Sequence, residues 1–267
     1  MLPSRLWTEL TTDDLARTDM VAHVVVLPVA AVEQHGPHLP LGTDTLIMQG
    51  YLDRVLATLP ADLSVIVLPI QSCGTSTEHT DFAGTLSLSA RTALAAWTDL
   101  AISVARSGCR RLVVVNAHGG NSAVIDILAQ ELRAAHGLLV AKASWQRFGY
   151  PEGLFSESEL THGIHGGAVE TSLMLAFRPD LVRESEVRDF VPASVAMEQR
   201  FARLRAGRPT GFGWMAQDLS AAGAIGDATT ASAEKGEACI AHGVAAFVEL
   251  LRDVAAFDLT GLVTREP

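Results

Sequence analysis

The 267-residue chain predicts an α/β fold with a mostly parallel central sheet, and three observations carry that expectation. Four apolar runs of strand length, HVVVLPVA (23–30), SVIVLPI (64–70), RRLVVVN (110–116) and LLVAKAS (138–144), lack regular polar alternation, as strands covered on both faces do. Helical spacings lie between these runs, so strand and helix alternate along the chain. Aromatic residues make up only 6% of a chain that is 48% hydrophobic, and a core of Ala, Val and Leu suits helices packed on a sheet better than a β-sandwich.

The elements follow in order. After the first run, TLIMQGYLDRVLATL (45–59) sets Leu46, Met48, Leu52, Val55, Leu56 and Leu59 at helical spacing, and Pro60 stops it. The segment 89–107 predicts a longer helix, with Ser89 as its N-cap and Gly108 as its C-terminal stop. A third helix opens at Asn121 or Ser122, runs to about Ala135 and closes at Gly137. Beyond the fourth strand, WQRFGYPEGLFSESELTHGIHGG (145–167) mixes glycine, aromatic and polar residues and reads as a long functional loop or flap. A helix over 168–176, a charged and partly helical segment over 183–208, and a C-terminal helix over 231–254 complete the reading. No repeat or linker divides the chain, so 1–267 is expected to form one domain.

A net charge of −10 opposes attraction to phosphate backbones and anionic membranes, and no Lys/Arg cluster offsets it. Neither nucleic acid nor membrane is therefore an expected partner. Cys73, Cys109 and Cys239 are odd in number and widely spaced, which indicates neither a disulfide framework nor a thiolate zinc site and fits a reducing cytoplasm. The opening MLPSRLWTELTTDDLA has neither the basic start nor the apolar centre of an export signal.

In parallel α/β sheets, ligands bind at the carboxyl ends of the strands. The ionisable residues concentrate there. Glu33, His35 and Asp44 follow the first strand in AVEQHGPHLPLGTDTLI; Glu78, His79 and Asp81 follow the second; His118 follows the third in NAHGGN; His165 and Glu170 lie beyond the fourth in HGGAVETS. Carboxylates and imidazoles suit Zn²⁺, Mn²⁺ or Fe²⁺, and in an extended Glu33-Gln34-His35 the first and third side chains point the same way. A cap on the coming helix is the other reading of Asp44, and a complement to a helix dipole that of Glu170. Gly119 and Gly120 permit a sharp turn, with Asn121 capping the helix that follows.

VEQHGPHLPLGTDT, GTSTEHTDFAGTLSL, VNAHGGN and HGGAVETSLML, in this order and with GAIGDATTASAEKG (223–236) behind them, resemble the motifs of the creatininase family of metal-dependent amidohydrolases. The resemblance covers about residues 5 to 255. It implies a three-layer α/β/α sandwich and two divalent ions per subunit, zinc or manganese, with iron also compatible. Glu33, His35, Asp44 and His118 are the implied metal ligands, Asp44 as the bridge, and Glu170 is the candidate for the remaining carboxylate. The chain departs from creatininase itself at Gly120, where that enzyme has a metal-binding glutamate. His165 matches the family's acid/base histidine, and Glu170 is a second candidate for moving the proton. Glu78 is a candidate for catalysis or substrate contact, or for fixing its loop.

The implied chemistry follows from the ions, which lower the pKa of a bridging water from ~15.7 toward ~7 and so supply hydroxide at neutral pH. Trp145 is the counterpart of one of two flap tryptophans that hold creatinine in creatininase; 154–164 offers Phe155 and no second tryptophan. Hydrolysis of a C–N bond in a small amide, cyclic or open, is thus better supported than creatinine as the substrate. The same ions would serve a lactone or sugar-derivative hydrolase or a peptide-processing peptidase of the family. A metal-stabilised scaffold without catalysis is the reading against which His165 and Asp44 count. Family members are commonly homo-oligomers, often hexamers, which makes copies of the chain the expected protein partner.

Overall fold

The computed structural model describes residues 2–207 and 209–262. Residue 208 of the charged segment, and residue 1 and residues 263–267 of the expected domain, lie outside the described residues.

Four parallel strands form the central sheet, β1 (Val24–Val29), β2 (Val65–Val67), β3 (Arg111–Asn116) and β4 (Leu139–Ser144), in the order β2-β1-β3-β4. All four are where the apolar runs place them. Alternate residues of β1 and β3 enter two separate cores: Val24, Val26, Val113 and Val115 face one side, and Val25, Leu27, Leu112 and Val114 the other. Burial on both faces is the physical reason these strands show no polar alternation, since every fully buried Val or Leu contributes roughly 1.5–3 kcal/mol.

A short helix, α1 (Thr12–Ala16), precedes the sheet. The helices α2 (Thr43–Thr58), α6 (Ala168–Phe177) and α9 (Ala233–Ala256) cover the first face, while α3 (Ala90–Arg106) and α4 (Ser122–His136) cover the second. The result is an α/β/α sandwich, as expected. Gly236 lets α9 cross α6 closely, because a Cβ there would lie 2.1 Å from the Ser172 carbonyl. Trp97 of α3 is 1% exposed and fills the second core. Ser89 accepts the amide of Thr92, and Gly137 closes α4 in the left-handed conformation at φ 66°. Both were legible as helix ends.

Three features differ from expectation. The segment 145–167 contains a 3-10 turn (Trp145–Phe148) and a helix, α5 (Glu157–His162), which Ser156 caps by accepting the Glu159 amide. The charged segment holds α7 (Ala193–Arg200) and β5 (Asp189–Phe190), which pairs with β6 (Gly226–Asp227) beyond α8 (Ala216–Leu219). Asn121 occupies the N-cap position of α4 but makes no cap bond; its side chain takes the Thr75 amide and donates to the Ala30 carbonyl, tying three strand ends together. No helix among the described residues is long and apolar enough to cross a membrane.

Candidate metal centre and active site

Strand register brings the first two walls of the site together. Val29 pairs with Asn116, and the Ala117 amide donates to the Val29 carbonyl, so Glu33 and His118 emerge side by side. The chain then loops through Gly36, whose φ of 73° and missing Cβ allow contact with Ala224. It returns when the Thr45 hydroxyl donates to the Ala31 carbonyl, which pins the start of α2 over the end of β1. Asp44 is thereby buried in the first turn of α2, where Gly42 is the N-cap, so the capping reading of Asp44 does not apply.

His35, His118 and His165 each bond a backbone carbonyl, and a carbonyl can only accept. His35 Nδ1 therefore carries its proton toward the Glu33 carbonyl at 3.0 Å, His118 Nε2 toward that of Thr75 at 2.9 Å, and His165 Nε2 toward that of Gln34 at 2.5 Å. Their opposite nitrogens face carboxylates. His118 Nδ1 lies 3.2 Å from Glu33 Oε1 and 3.3 Å from Asp44 Oδ2, while His35 Nε2 lies 3.4 Å from Asp44 Oδ1 and 3.8 Å from Glu170 Oε2. Asp44 thus turns one oxygen to each side. His165 Nδ1 is 3.6 Å from Glu33 Oε1.

Both oxygens of Glu33, Oδ2 of Asp44 and Nε2 of His35 are buried without a hydrogen-bond partner. Such convergence is costly unless a cation satisfies it. Three overlapping sets, Glu33–His35–Asp44, His35–His165–Glu170 and Glu33–His79–His165, keep their donor atoms within 4.8 Å of one another. A borderline-hard divalent ion fits this mixture of imidazole nitrogen and carboxylate oxygen. The electrostatics agree. Burial alone would depress His35, but Asp44, Glu170 and Glu33 raise it to about 9; burial also opposes the rise of His118, which Glu33 and Asp44 bring well above its ordinary value. Asp44 is lowered against its burial by His35 and His118. These are positions built for positive charge.

The remaining imidazoles are held neutral. Burial and the neighbouring His35 lower His165 to about 4, and burial with His165 lowers His79 to about 2. His165 is stacked between the other two, 4.1 Å from the His35 ring and 4.2 Å from the His79 ring. Sequence reasoning placed His79 at the right strand end but gave it no role. The signal was Gln34: its Oε1 takes the Gly36 amide, so its Nε2 must donate to His79 Nδ1 at 2.7 Å, and His79 Nε2 is turned to Glu33 Oε1 at 3.3 Å.

Glu170 sits in the first turn of α6, with Oε2 accepting the Gly166 amide at 2.6 Å. Glu78 lies 3.9 Å from His118 Nε2, and burial raises its pKa. A Cβ at Gly120 would stand 2.7 Å from Glu78 Oε1 and 2.3 Å from the Thr75 carbonyl, so that position is closed to a side chain. Trp145 is 4% exposed, stacked at 4.1 Å on Tyr51 in the core beneath the site. Its indole donates to Met48 Sδ, and it does not line the large cavity. That cavity, of about 630 Å³, is lined by Glu78, His118, His165 and Glu170 of the cluster and also by Arg147 and Trp214.

A parallel α/β/α sandwich carrying a carboxylate–imidazole cluster at its strand ends belongs with proteins whose metal-binding sites lie at the carboxyl ends of a sheet, an arrangement suited to hydrolysis. The family model described as creatinine amidohydrolase matches residues 8–251, and the chain belongs to the creatininase family of hydrolases. It is 34% identical over 247 residues to a creatinine amidohydrolase of Pseudomonas putida, covering 86% of this chain and 89% of that protein. It is also 34% identical over 229 residues to a mycofactocin precursor peptide peptidase of Mycolicibacterium smegmatis, covering 83% and 81%. A zinc–zinc form of a creatininase mutant superposes with a TM-score of 0.74 at 32% identity, over 95% of this chain and 99% of that one.

Proposed function

We propose that this chain is a binuclear metal-dependent amidohydrolase that hydrolyses a C–N bond of an amide. The observation that carries the reading is the set of orphaned, buried donor atoms of Glu33, His35 and Asp44 converging with His118 and Glu170. Glu33, Asp44 and His118 would hold one divalent ion, zinc or manganese, and His35, Asp44 and Glu170 the other, with Asp44 shared. When bound, the two ions polarise the substrate carbonyl and make a hydroxide nucleophile available at neutral pH.

The chain's own groups supply the rest. The carbonyls of Glu33 and Thr75 fix the tautomers of His35 and His118, so the ligand nitrogens face inward before any ion arrives. His165 is neutral at pH 7 with Nδ1 free, so it can accept a proton during attack and, destabilised as an imidazolium by its burial, release it to the departing amine. Glu78 lines the cavity and would contact the substrate there. A second reading, cleavage within a peptide, draws on the relative that processes a peptide precursor and on a cavity roomier than a single small ring requires.

Metal analysis with turnover assays on creatinine, a formamide, a short peptide and a lactone tests this reading. Two equivalents of metal and release of an amine or ammonia are expected. A full-length, folded preparation that binds no divalent ion, or that cleaves only the lactone, refutes it.

A further inference from the structure

The large cavity does not end at the cluster. A second cavity of about 220 Å³ adjoins it, and Ser122, Ser144 and Arg147 line both. Among the described residues, Arg147 is the only Lys or Arg in the lining of the large cavity, which also carries the carboxylates Glu78, Glu159 and Glu170. Glu159 is already engaged with the amides of Ala168 and Asp227. Arg147 makes no hydrogen bond, ion pair or aromatic stacking contact among the described residues, whereas Arg5, Arg111 and Arg205 are each tied to backbone carbonyls. The hydroxyl of Ser122 makes no side-chain hydrogen bond either, and Ser144 Oγ accepts from Asn116, which leaves its proton free.

We propose that Arg147, with the hydroxyls of Ser122 and Ser144, is the anchor for a carboxylate on the substrate, so that the amide cleaved here carries an acidic group remote from the scissile bond. This rests on the amidohydrolase reading and narrows it to a substrate class. The argument is one of placement and sign. A guanidinium presents a planar fork of donors that matches a carboxylate, and its charge is permanent. Arg147 draws a carboxylate to the junction and Glu78 disfavours it at the opposite end, which orients the molecule with its amide over the cluster. Tyr150, Ile164 and Val169 supply apolar wall between the two ends, suited to an uncharged stretch of substrate.

The test uses zinc-loaded full-length protein and two matched probes, N-formyl-leucine and N-formyl-leucinamide, which differ only in the carboxylate. Binding is measured by calorimetry for wild type, Arg147→Gln and Arg147→Lys, alongside KM and kcat where turnover occurs. The wild type is expected to favour the carboxylate. Arg147→Gln should weaken that probe roughly 10- to 100-fold, the range of a charge-assisted hydrogen bond, so that its affinity falls to that of the amide probe. Arg147→Lys should restore part of the preference.

Equal affinity for both probes in the wild type, or binding of neither, overturns the proposal. A carboxylate preference that persists in Arg147→Gln also overturns it, since the metal ions would then be holding the anion. Release of amine or ammonia from any neutral amide keeps the amidohydrolase reading standing in each of these cases. Loss of metal binding instead removes that reading itself.

Discussion

The two walls of the site are built on different principles. The inner wall, Glu33, His35, Asp44 and His118, follows the paired ends of β1 and β3, with Asp44 in the start of α2 pinned over β1 and backbone carbonyls orienting His35 and His118. The outer wall, His165 and Glu170, hangs from the end of the flap segment and the first turn of α6, which have no central-sheet strand beneath them. A buried carboxylate, together with the paired backbones of His165 and Ile225, substitutes for that support. Glu159 is 5% exposed and accepts the amides of Ala168 at 2.6 Å and Asp227 at 2.8 Å, while Gly163, Gly167 and Gly226 leave no room beside it for a Cβ. The inner wall is therefore expected to fail chemically and the outer wall mechanically.

The largest effect should come from the inner wall. Asp44→Ala removes the oxygen offered to each ion, and we expect loss of both metals by elemental analysis and of all measurable turnover; two retained ions would break the bridging assignment. His165→Ala should leave metal content intact and slow turnover by roughly 10²–10⁴-fold, the range of an acid/base group. Unchanged turnover removes His165 from the chemistry.

Glu159→Ala leaves two buried amides unsatisfied and should cost ~2–4 kcal/mol in denaturant unfolding, with metal affinity falling at the His35–Glu170 side before the His118 side. Equal loss at both sides would erase the distinction between the walls. Gly120→Ala should cost ~1–3 kcal/mol, because the Thr75 carbonyl and Glu78 must both shift. Here a melting temperature unaltered from wild type would show that the inner wall has slack.

The pH dependence of the metal-free chain sharpens the contrast further. His35 has a folded pKa raised from 6.5 to about 9, so its stabilisation is complete below 6.5 and is lost as pH rises through 9. His165 is lowered from 6.5 to about 4, so its contribution is present above 6.5 and is lost as pH falls toward 4. Melting temperature should therefore decline on both sides of neutrality. Zinc should flatten the alkaline arm, because a bound cation replaces the proton on His35; an alkaline arm indifferent to zinc would count against the ligand role.

How much of this was readable depends on how local each determinant is. The strands and the main helices follow from apolar runs and end signals such as Ser89 and Gly137, whose effects act within a few residues. The inner wall was legible because Glu33, His35 and Asp44 sit within one short loop. His79 was not, because its place depends on Gln34, which lies 45 positions away. Trp145 reads like an exposed flap residue beside glycine and polar neighbours, yet Tyr51, Met48 and Phe247 of distant helices enclose it. Helix α5 was read as loop because six residues of polar sequence give little periodicity, and its stability comes from Glu159 reaching across to Ala168 and Asp227.

Gly120 also decides which group can occupy its corner of the centre. A Cβ there would meet the Thr75 carbonyl at 2.3 Å, His118 Nε2 at 2.5 Å and Glu78 Oε1 at 2.7 Å. Glu78 can swing aside, but the backbone at 75 and the ring of His118 are held by the hydrogen bond between them. The missing side chain is thus what lets a carboxylate from residue 78, and none from residue 120, stand beside His118.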